Sequence, residues 1–146
     1  MDKGKKIISW ILLLGWMAFI FYMSGKTGEE SSSQSGTVIK ILSTFGFTIS
    51  KAIESNVTFI IRKGAHVTEY LILYLLLFNV IKNYVGRSRT AVLSIILLVI
   101  YAASDEIHQY FVPGRSAAFV DVMIDSCGGI IGLMINKLYY KAKNDR

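Results

Sequence analysis

The chain carries, from Tyr101 to Arg115, the sequence YAASDEIHQYFVPGR, in which polar and ionisable residues follow a strongly apolar run. That run, residues 91–100, has the hydrophobicity of a membrane span. Three ionisable side chains follow within the same helical pattern, before a Pro-Gly pair ends it: Asp105, Glu106 and His108. Ionisable groups inside a span cost about 2.5–3.5 kcal/mol each on insertion scales, so we expect partners for them on other helices.

The composition is that of a small integral membrane protein. Of 146 residues, 53% are hydrophobic, and the mean hydropathy is +0.48. A single proline and the lack of alternating ten-residue segments favour helices over a barrel. The net charge of +6 does not indicate nucleic-acid binding, because the basic residues flank the apolar runs. The single Cys127 lies in an apolar run and has no cysteine partner within the chain.

Hydropathy predicts four spans, at about residues 7–23, 59–82, 91–112 and 117–138. The first resembles a signal peptide, but the bulky residues that follow it argue against cleavage. We therefore predict an all-α integral membrane protein, a four-transmembrane-helix bundle plus an extracytoplasmic amphipathic helix at about 28–45. Residues 1–146 would form a single domain.

The amphipathic helix has both a start signal and an apolar stripe. Thr27 and Glu30 fit a capping box, and Gly46 is a suitable end. The stripe consists of Val38, Ile41, Leu42 and Phe45, which predicts a helix on the membrane surface or across the mouth of the bundle. The serines of residues 31–35 could bind a polar ligand, but capping preferences favour a solvated helix start.

The second and fourth spans each carry several polar or small residues on one face. Arg62, His66 and Glu69 recur at i, i+4 and i+7 on the second span. On the fourth span, two acids and two glycines share a face: Asp121, Asp125, Gly128 and Gly132. The glycine spacing is the small-xxx-small pattern that lets a neighbouring helix approach closely.

The distribution of basic residues predicts both termini on the cytoplasmic side. Ten basic residues lie near the termini or in the 82–89 loop. Six others fall on or near the outer side: Lys26, Lys40, Lys51, Arg62, Lys63 and Arg115.

This topology places acids from three helices at one depth. Glu69, Asp105 and Asp125 each lie roughly 10–12 Å from the outer end of their helices, at about 1.5 Å per residue. We therefore expect one outward-facing cavity lined by five acids and five potential cations. These are Glu69, Asp105, Glu106, Asp121 and Asp125 with Arg62, Lys63, His66, His108 and Arg115.

Three motifs carry a family resemblance: Arg62-Lys63-x-x-His66-x-x-Glu69-Tyr70, Ser104-Asp105-Glu106-x-His108-Gln109-x-Phe111-x-Pro113-Gly114-Arg115 and Asp121-x-x-x-Asp125-x-x-Gly128. Together they resemble the VanZ-like family of small bacterial membrane proteins. After the first span, that family tends to show Ser-Ser-Gln where this chain has Ser24-Gly25-Lys26. The resemblance implies a multi-pass protein of the bacterial cell envelope, in a family whose founding member is linked to resistance to the glycopeptide teicoplanin.

The first functional hypothesis is an enzyme that hydrolyses or transfers the phosphate of an outer-leaflet lipid or lipid-linked cell-wall intermediate. Arginine forks bind phosphate, and histidine and carboxylate groups move protons near neutral pH. The candidate catalytic residues are His66, Glu69, Asp105, Glu106, His108, Asp121 and Asp125. The candidate substrate-binding residues are Arg62, Lys63, Tyr70, Gln109 and Arg115.

Two alternatives remain open. A divalent metal ion could be held by carboxylate and histidine groups one helical turn apart, with Glu69, Asp105, His108 and Asp125 as candidate ligands. Alternatively, the charges could hold the helices together while the cavity binds a lipid or glycopeptide without reaction. Transport is disfavoured because the cytoplasmic halves of the spans offer no charges to complete a path.

Overall fold

A computed structural model describes residues 3–46, 50 and 53–145, which form five helices and no strand. The helices are α1 (Lys3–Ser24), α2 (Gly28–Thr44), α3 (Glu54–Ile81), α4 (Arg87–Tyr110) and α5 (Phe119–Asn144). Lys51 and Arg146, assigned above to the outer side and to the cytoplasmic basic cluster, lie outside the described residues.

Four of these helices, α1, α3, α4 and α5, are long and apolar enough to cross a membrane. The predicted all-α, four-span architecture is therefore confirmed. The helix bounds differ from the predicted spans mainly at polar ends: α1 begins at Lys3 and α5 continues to Asn144. Helical hydrogen bonding extends into lysine-containing ends that a hydropathy criterion excludes, since lysine is a good helix former.

Helix α3 is the centre of the bundle and packs against each of the other four helices. Its fully buried residues Tyr70, Leu73 and Tyr74 form the core together with Leu98 and Ala102 of α4. Large apolar side chains elsewhere on α1, α4 and α5 are exposed, as expected for surfaces that face lipid.

Helix α5 approaches α3 through glycines. A Cβ placed on Gly128 would clash with the carbonyl oxygen of Val67 and lie 2.9 Å from the backbone nitrogen of Leu71. A Cβ on Gly132 would lie 2.6 Å from the Tyr74 ring. The small-xxx-small prediction is therefore confirmed, because any side chain at Gly128 would force the two backbones apart.

Helix α2 lies at the end of the bundle where α3 and α5 begin and α4 ends. The predicted capping box is present: the Thr27 hydroxyl accepts from the Glu30 N–H, and the Glu30 carboxylate accepts from the Thr27 N–H. These hydrogen bonds from Thr27 lower the pKa of the Glu30 carboxyl below its ordinary value. The Gly28 N–H donates to the Pro113 carbonyl at 3.3 Å, which docks α2 on the turn after α4.

The docking of α2 needs glycine on both sides. Gly114 has a φ of 71°, a conformation that other residues rarely adopt. A Cβ on Gly28 would clash with the Gly114 backbone. The Pro-Gly pair therefore ends the helical pattern, as predicted, and also forms the seat for α2.

Helix α2 packs on the bundle through serines near its start, whereas the apolar stripe of its later turns is more exposed. Ser31 and Ser35 are 9% and 5% exposed, whereas Val38, Ile41 and Phe45 are 41%, 54% and 77% exposed. The prediction of a solvated helix start is therefore wrong for Ser31 and Ser35. Ser31, Ser35, Val38 and Phe45 recur at i, i+4, i+7 and i+14, so they share one face, which is buried near the start of α2 and exposed toward its end. The exposed apolar residues at that end suit contact with the membrane surface.

The Gly128 contact generates a stability prediction. Gly128→Ala should lower the free energy of unfolding by about 1–3 kcal/mol, because the new methyl group meets the backbone of α3. Thermal unfolding in detergent measures the change. Gly64→Ala is the matched control, since a Cβ there meets nothing within 4 Å and alanine favours the helix. Equal effects of the two substitutions would contradict the close-contact interpretation.

Candidate functional site

A cavity of about 230 Å³ lies between α2 and α3 at the α2 end of the bundle. Its lining comes from α1, α2, α3 and the connection between α4 and α5. The lining residues are Met23, Ser24, Ser31, Gln34, Ser35, Val38, Ile61, Arg62, Ala65, His66, Glu69 and Arg115. The predicted face of α3 is therefore present, because Arg62, His66 and Glu69 all contribute to one wall.

A buried group of three side chains adjoins this cavity, and we call it the His66 cluster: His66, Asp105 and Asp125. One nitrogen or oxygen atom of each lies within 4.8 Å of the others, and His66 Nδ1 is 3.5 Å from Asp125 Oδ1. The residues come from α3, α4 and α5. The shared depth inferred from helix rise thus brings Asp105 and Asp125 together, with His66 between them and the cavity.

Both aspartates of the His66 cluster are almost completely buried, at 2% exposed for Asp105 and 1% for Asp125. Asp105 Oδ1 and Asp125 Oδ2 have no hydrogen-bond partner among the described residues. The Ser24 hydroxyl lies beside the Asp105 carboxylate, but the arrangement falls short of a hydrogen bond. The cluster therefore retains unused acceptor atoms in a dehydrated environment, where they are costly.

Gln109 connects the His66 cluster to an arginine at the cavity. Its Nε2 donates to Asp105 Oδ2 at 3.0 Å, and its Oε1 accepts from Arg115 Nε and Nη2 at 3.2 and 2.7 Å. Burial and the neighbouring charge of Arg62 lower the pKa of the Arg115 guanidinium. Gln109 therefore positions Arg115, and no atom of Gln109 lines the cavity.

Several other predicted site residues lie away from the cavity. Lys63 Nζ and Asp121 Oδ1 form an ion pair at 2.5 Å between α3 and α5. Tyr70 is fully buried in the core, where its hydroxyl has no partner among the described residues. Of the ten charged side chains expected to line one cavity, four do: Arg62, His66, Glu69 and Arg115. Lys63, Asp105, Asp121 and Asp125 do not line it, and neither does the candidate substrate-binding residue Tyr70.

Glu106 and His108 point in other directions because successive helical residues are rotated by about 100°. The Glu106 carboxylate accepts from the Ala118 N–H at 2.9 Å, at the start of α5. His108 stacks on Phe21 of α1, with ring centroids 4.1 Å apart. Neither residue lines the cavity. Of the four candidate metal ligands, Asp105 and Asp125 belong to the His66 cluster and Glu69 and His108 lie outside it. The third member, His66, was not among the four candidates.

The α2 residues of the lining were not among the candidates. Ser31 and Ser35 share a face of α2 at i, i+4, and Gln34 lies beside it. That spacing is visible in the sequence, and it continues on the same side of α2 into Val38 of the apolar stripe, which also lines the cavity. The preference of serine for helix starts favours a solvated start over a binding face. That preference does not depend on what the helix packs against.

The capping contact of Glu106 predicts distinct effects for two substitutions. Glu106→Leu should lower the free energy of unfolding by about 1–2 kcal/mol, because the Ala118 N–H at the start of α5 loses its acceptor. Glu106→Gln should cost less, since its amide oxygen still accepts. Thermal unfolding of both variants in detergent checks this, and an equal loss for Leu and Gln would contradict the capping role.

Comparison with known families assigns most of the chain to one family. The family model described as VanZ/LLP1 matches residues 9–140 of the 146-residue chain, a range that includes all three charged motifs. No curated protein and no solved structure matches the chain. The family resemblance seen in the sequence is confirmed: the chain is a multi-pass membrane protein and belongs to the VanZ/LLP1 family.

Proposed function

We propose that this protein is a cell-envelope enzyme that hydrolyses or transfers the phosphate of a lipid or of a lipid-linked cell-wall intermediate. The observation that supports this most is the meeting of two arginines, a cavity-lining carboxylate and the His66 cluster at one site within a membrane bundle. Such groups are costly inside a membrane, and they therefore mark a functional site in preference to a purely structural one.

Arg62 and Arg115 provide the binding site for the phosphate. They come from separate elements and line one cavity, close enough for the charge of Arg62 to lower the pKa of Arg115. An anion between two guanidinium groups relieves their repulsion and accepts bidentate hydrogen bonds. The Ser31 hydroxyl lies on the facing wall as a further donor, whereas the Ser35 hydroxyl donates to the Ser31 carbonyl at 3.2 Å.

The size of the cavity suits a head group. About 230 Å³ is smaller than the roughly 300–1,000 Å³ of typical small-molecule pockets. The phosphate would enter while the hydrocarbon chain stays in the bilayer. The outward apolar residues of α2 would contact the same leaflet.

Glu69 is the proposed proton acceptor. Its side chain lines the cavity, and among the described residues no group donates a hydrogen bond to its carboxylate. In hydrolysis, the oxygen of a water molecule forms a bond to phosphorus while the bond from phosphorus to the lipid oxygen breaks. The proton of the water passes to Glu69 and then to the departing lipid oxygen. In transfer, an acceptor hydroxyl takes the place of water.

We further propose that the cavity faces the outer leaflet of the bacterial cell membrane. The N-terminus of α1, the loop before α4 and the C-terminus of α5 lie at the opposite end of the bundle, and these segments hold most of the basic residues. Short basic segments favour the cytoplasmic side. An outer-leaflet substrate is consistent with a family linked to glycopeptide resistance, and lower teicoplanin susceptibility on expression is the expected phenotype.

The arginine pair predicts a loss of substrate binding on conservative substitution. Arg62→Lys and Arg115→Lys should each raise KM about tenfold or more, since an ammonium group cannot form the bidentate hydrogen bonds of a guanidinium group. Phosphate release from a panel of lipid monophosphates and pyrophosphates in detergent micelles measures this. Arg89→Lys, exposed at the opposite end of the bundle, is the matched control and should leave KM unchanged. Unchanged KM in both cavity variants would remove the arginines from substrate binding.

The role of Glu69 predicts a loss in kcat. Glu69→Gln should lower kcat about 10²–10⁴-fold, as expected when a general base is removed. Thermal stability should change little, because the carboxylate accepts no hydrogen bond from the described residues. Glu29→Gln, an exposed position on α2, is the control. If the wild-type protein binds lipid phosphates but releases no phosphate from any of them, the alternative of binding without reaction replaces the enzymatic proposal.

A further inference from the structure

The His66 cluster has the composition and spacing of a metal site. We infer that His66, Asp105 and Asp125 bind one divalent cation, of the class of Zn²⁺ or Mn²⁺, next to the cavity. This inference goes beyond the proposed function, because it holds whether or not a lipid phosphate is the substrate.

The geometry needs little adjustment to hold an ion. Zinc lies about 2.0–2.2 Å from histidine nitrogen and carboxylate oxygen, so two ligands of one ion are at most about 4.4 Å apart. The three candidate ligand atoms already lie within 4.8 Å of one another. Each is carried by a different helix, and the packing of the bundle core therefore holds them in place.

The second observation is that each of the two aspartates has one carboxylate oxygen without a hydrogen-bond donor. Both side chains are at least 98% buried, and each has one oxygen that meets no hydrogen-bond donor among the described residues. Removing a carboxylate from water without a partner is strongly unfavourable. A bound cation would offset the negative charge of both buried carboxylates at once.

Apart from His66, no charged side chain among the described residues forms a direct ion pair with a cluster aspartate. Lys63 is paired with Asp121, and Arg115 donates to the neutral amide of Gln109. A neutral histidine and two carboxylates carry a charge of −2, which one divalent ion neutralises.

The charge balance also bears on the adjacent cavity. Any ionised carboxylate of the cluster disfavours a phosphate in the cavity, and a bound cation would offset that charge. Three protein ligands leave an open coordination position, as in catalytic zinc sites, and His66 also lines the cavity. One nitrogen and two carboxylate ligands, with no cysteine, favour a borderline or hard divalent ion.

Metal content tests the inference directly. The full chain is purified in detergent, equilibrated with Zn²⁺ or Mn²⁺, dialysed against metal-free buffer and measured by inductively coupled plasma mass spectrometry. The expected result is one ion per chain for the wild type, and loss of at least 90% of it in Asp105→Asn, Asp125→Asn and His66→Ala. His108→Ala and Asp121→Asn are matched controls of the same residue types outside the cluster, and both should retain the ion.

Two further measurements keep the test decisive if a cluster variant fails to fold. Added metal should raise the melting temperature of the wild type, whereas folded cluster variants should show no shift. Co²⁺ in the wild-type protein should give visible absorption bands of a low-coordinate nitrogen and oxygen site. Less than a tenth of an ion per wild-type chain with no thermal shift, or an ion that all three cluster variants retain, would overturn the inference.

The result is separable from the proposed enzymatic function. Arg62→Lys and Glu69→Gln should retain the ion while losing substrate binding or turnover, because neither residue belongs to the cluster. A protein that binds one ion but releases no phosphate would support the metal site and contradict the hydrolase. Phosphate release without any bound ion would support the hydrolase and contradict the metal site.

Discussion

The close approach of α5 to α3 is the contact on which the site depends. Gly128 lies against the backbone of Val67 and Leu71, so the two helix axes come nearer than any side chain at that position would allow. Asp125 is almost one turn before Gly128, and His66 directly precedes Val67. The glycine contact therefore fixes the depth at which the aspartate meets the histidine. Without it, two buried ionisable groups would have to find each other across a wider gap, in a medium that penalises unpaired charge.

The polar residues of the three motifs fall into two groups: some form contacts between helices, and others belong to the His66 cluster. The ion pair of Lys63 and Asp121 joins α3 to α5, and Glu106 holds the start of α5. Interhelical polar contacts of this kind contribute only about 0.6 kcal/mol each on average. Such contacts are strong enough to favour one rotation of α5 about its own axis, while apolar packing holds the helix in the bundle. The cluster aspartates, with their unused oxygens, are the groups that structure alone does not explain.

Helix α2 forms the wall of the cavity that faces α3. Its start is fixed by the capping box and by the backbone contact between Gly28 and the turn at Gly114. The residue after that turn is Arg115, which Gln109 holds at the cavity. The segment from Pro113 to Arg115 therefore contacts the start of α2 and holds its serines next to α3. It also places the Arg115 side chain at the cavity between α2 and α3. This explains why the Pro-Gly-Arg sequence directly follows the charged end of α4.

The sequence by itself determined the features that depend on local pattern. Hydropathy is a property of contiguous residues and predicted the four spans, and the identity and spacing of polar residues carried the family motifs. Helical periodicity placed Arg62, His66 and Glu69 on one face, and helix rise put Asp105 and Asp125 at one depth. Only the tertiary structure decided which of these groups meet. The rotation of each helix about its own axis is set by packing against its neighbours, and a rotation of about 100° separates Asp105 in the cluster from Glu106 at the start of α5. The same holds for α2, where Ser31 and Ser35 share a face with Val38 and Phe45. The seat of α2 on the Pro-Gly turn buries the start of this face and leaves its later turns exposed.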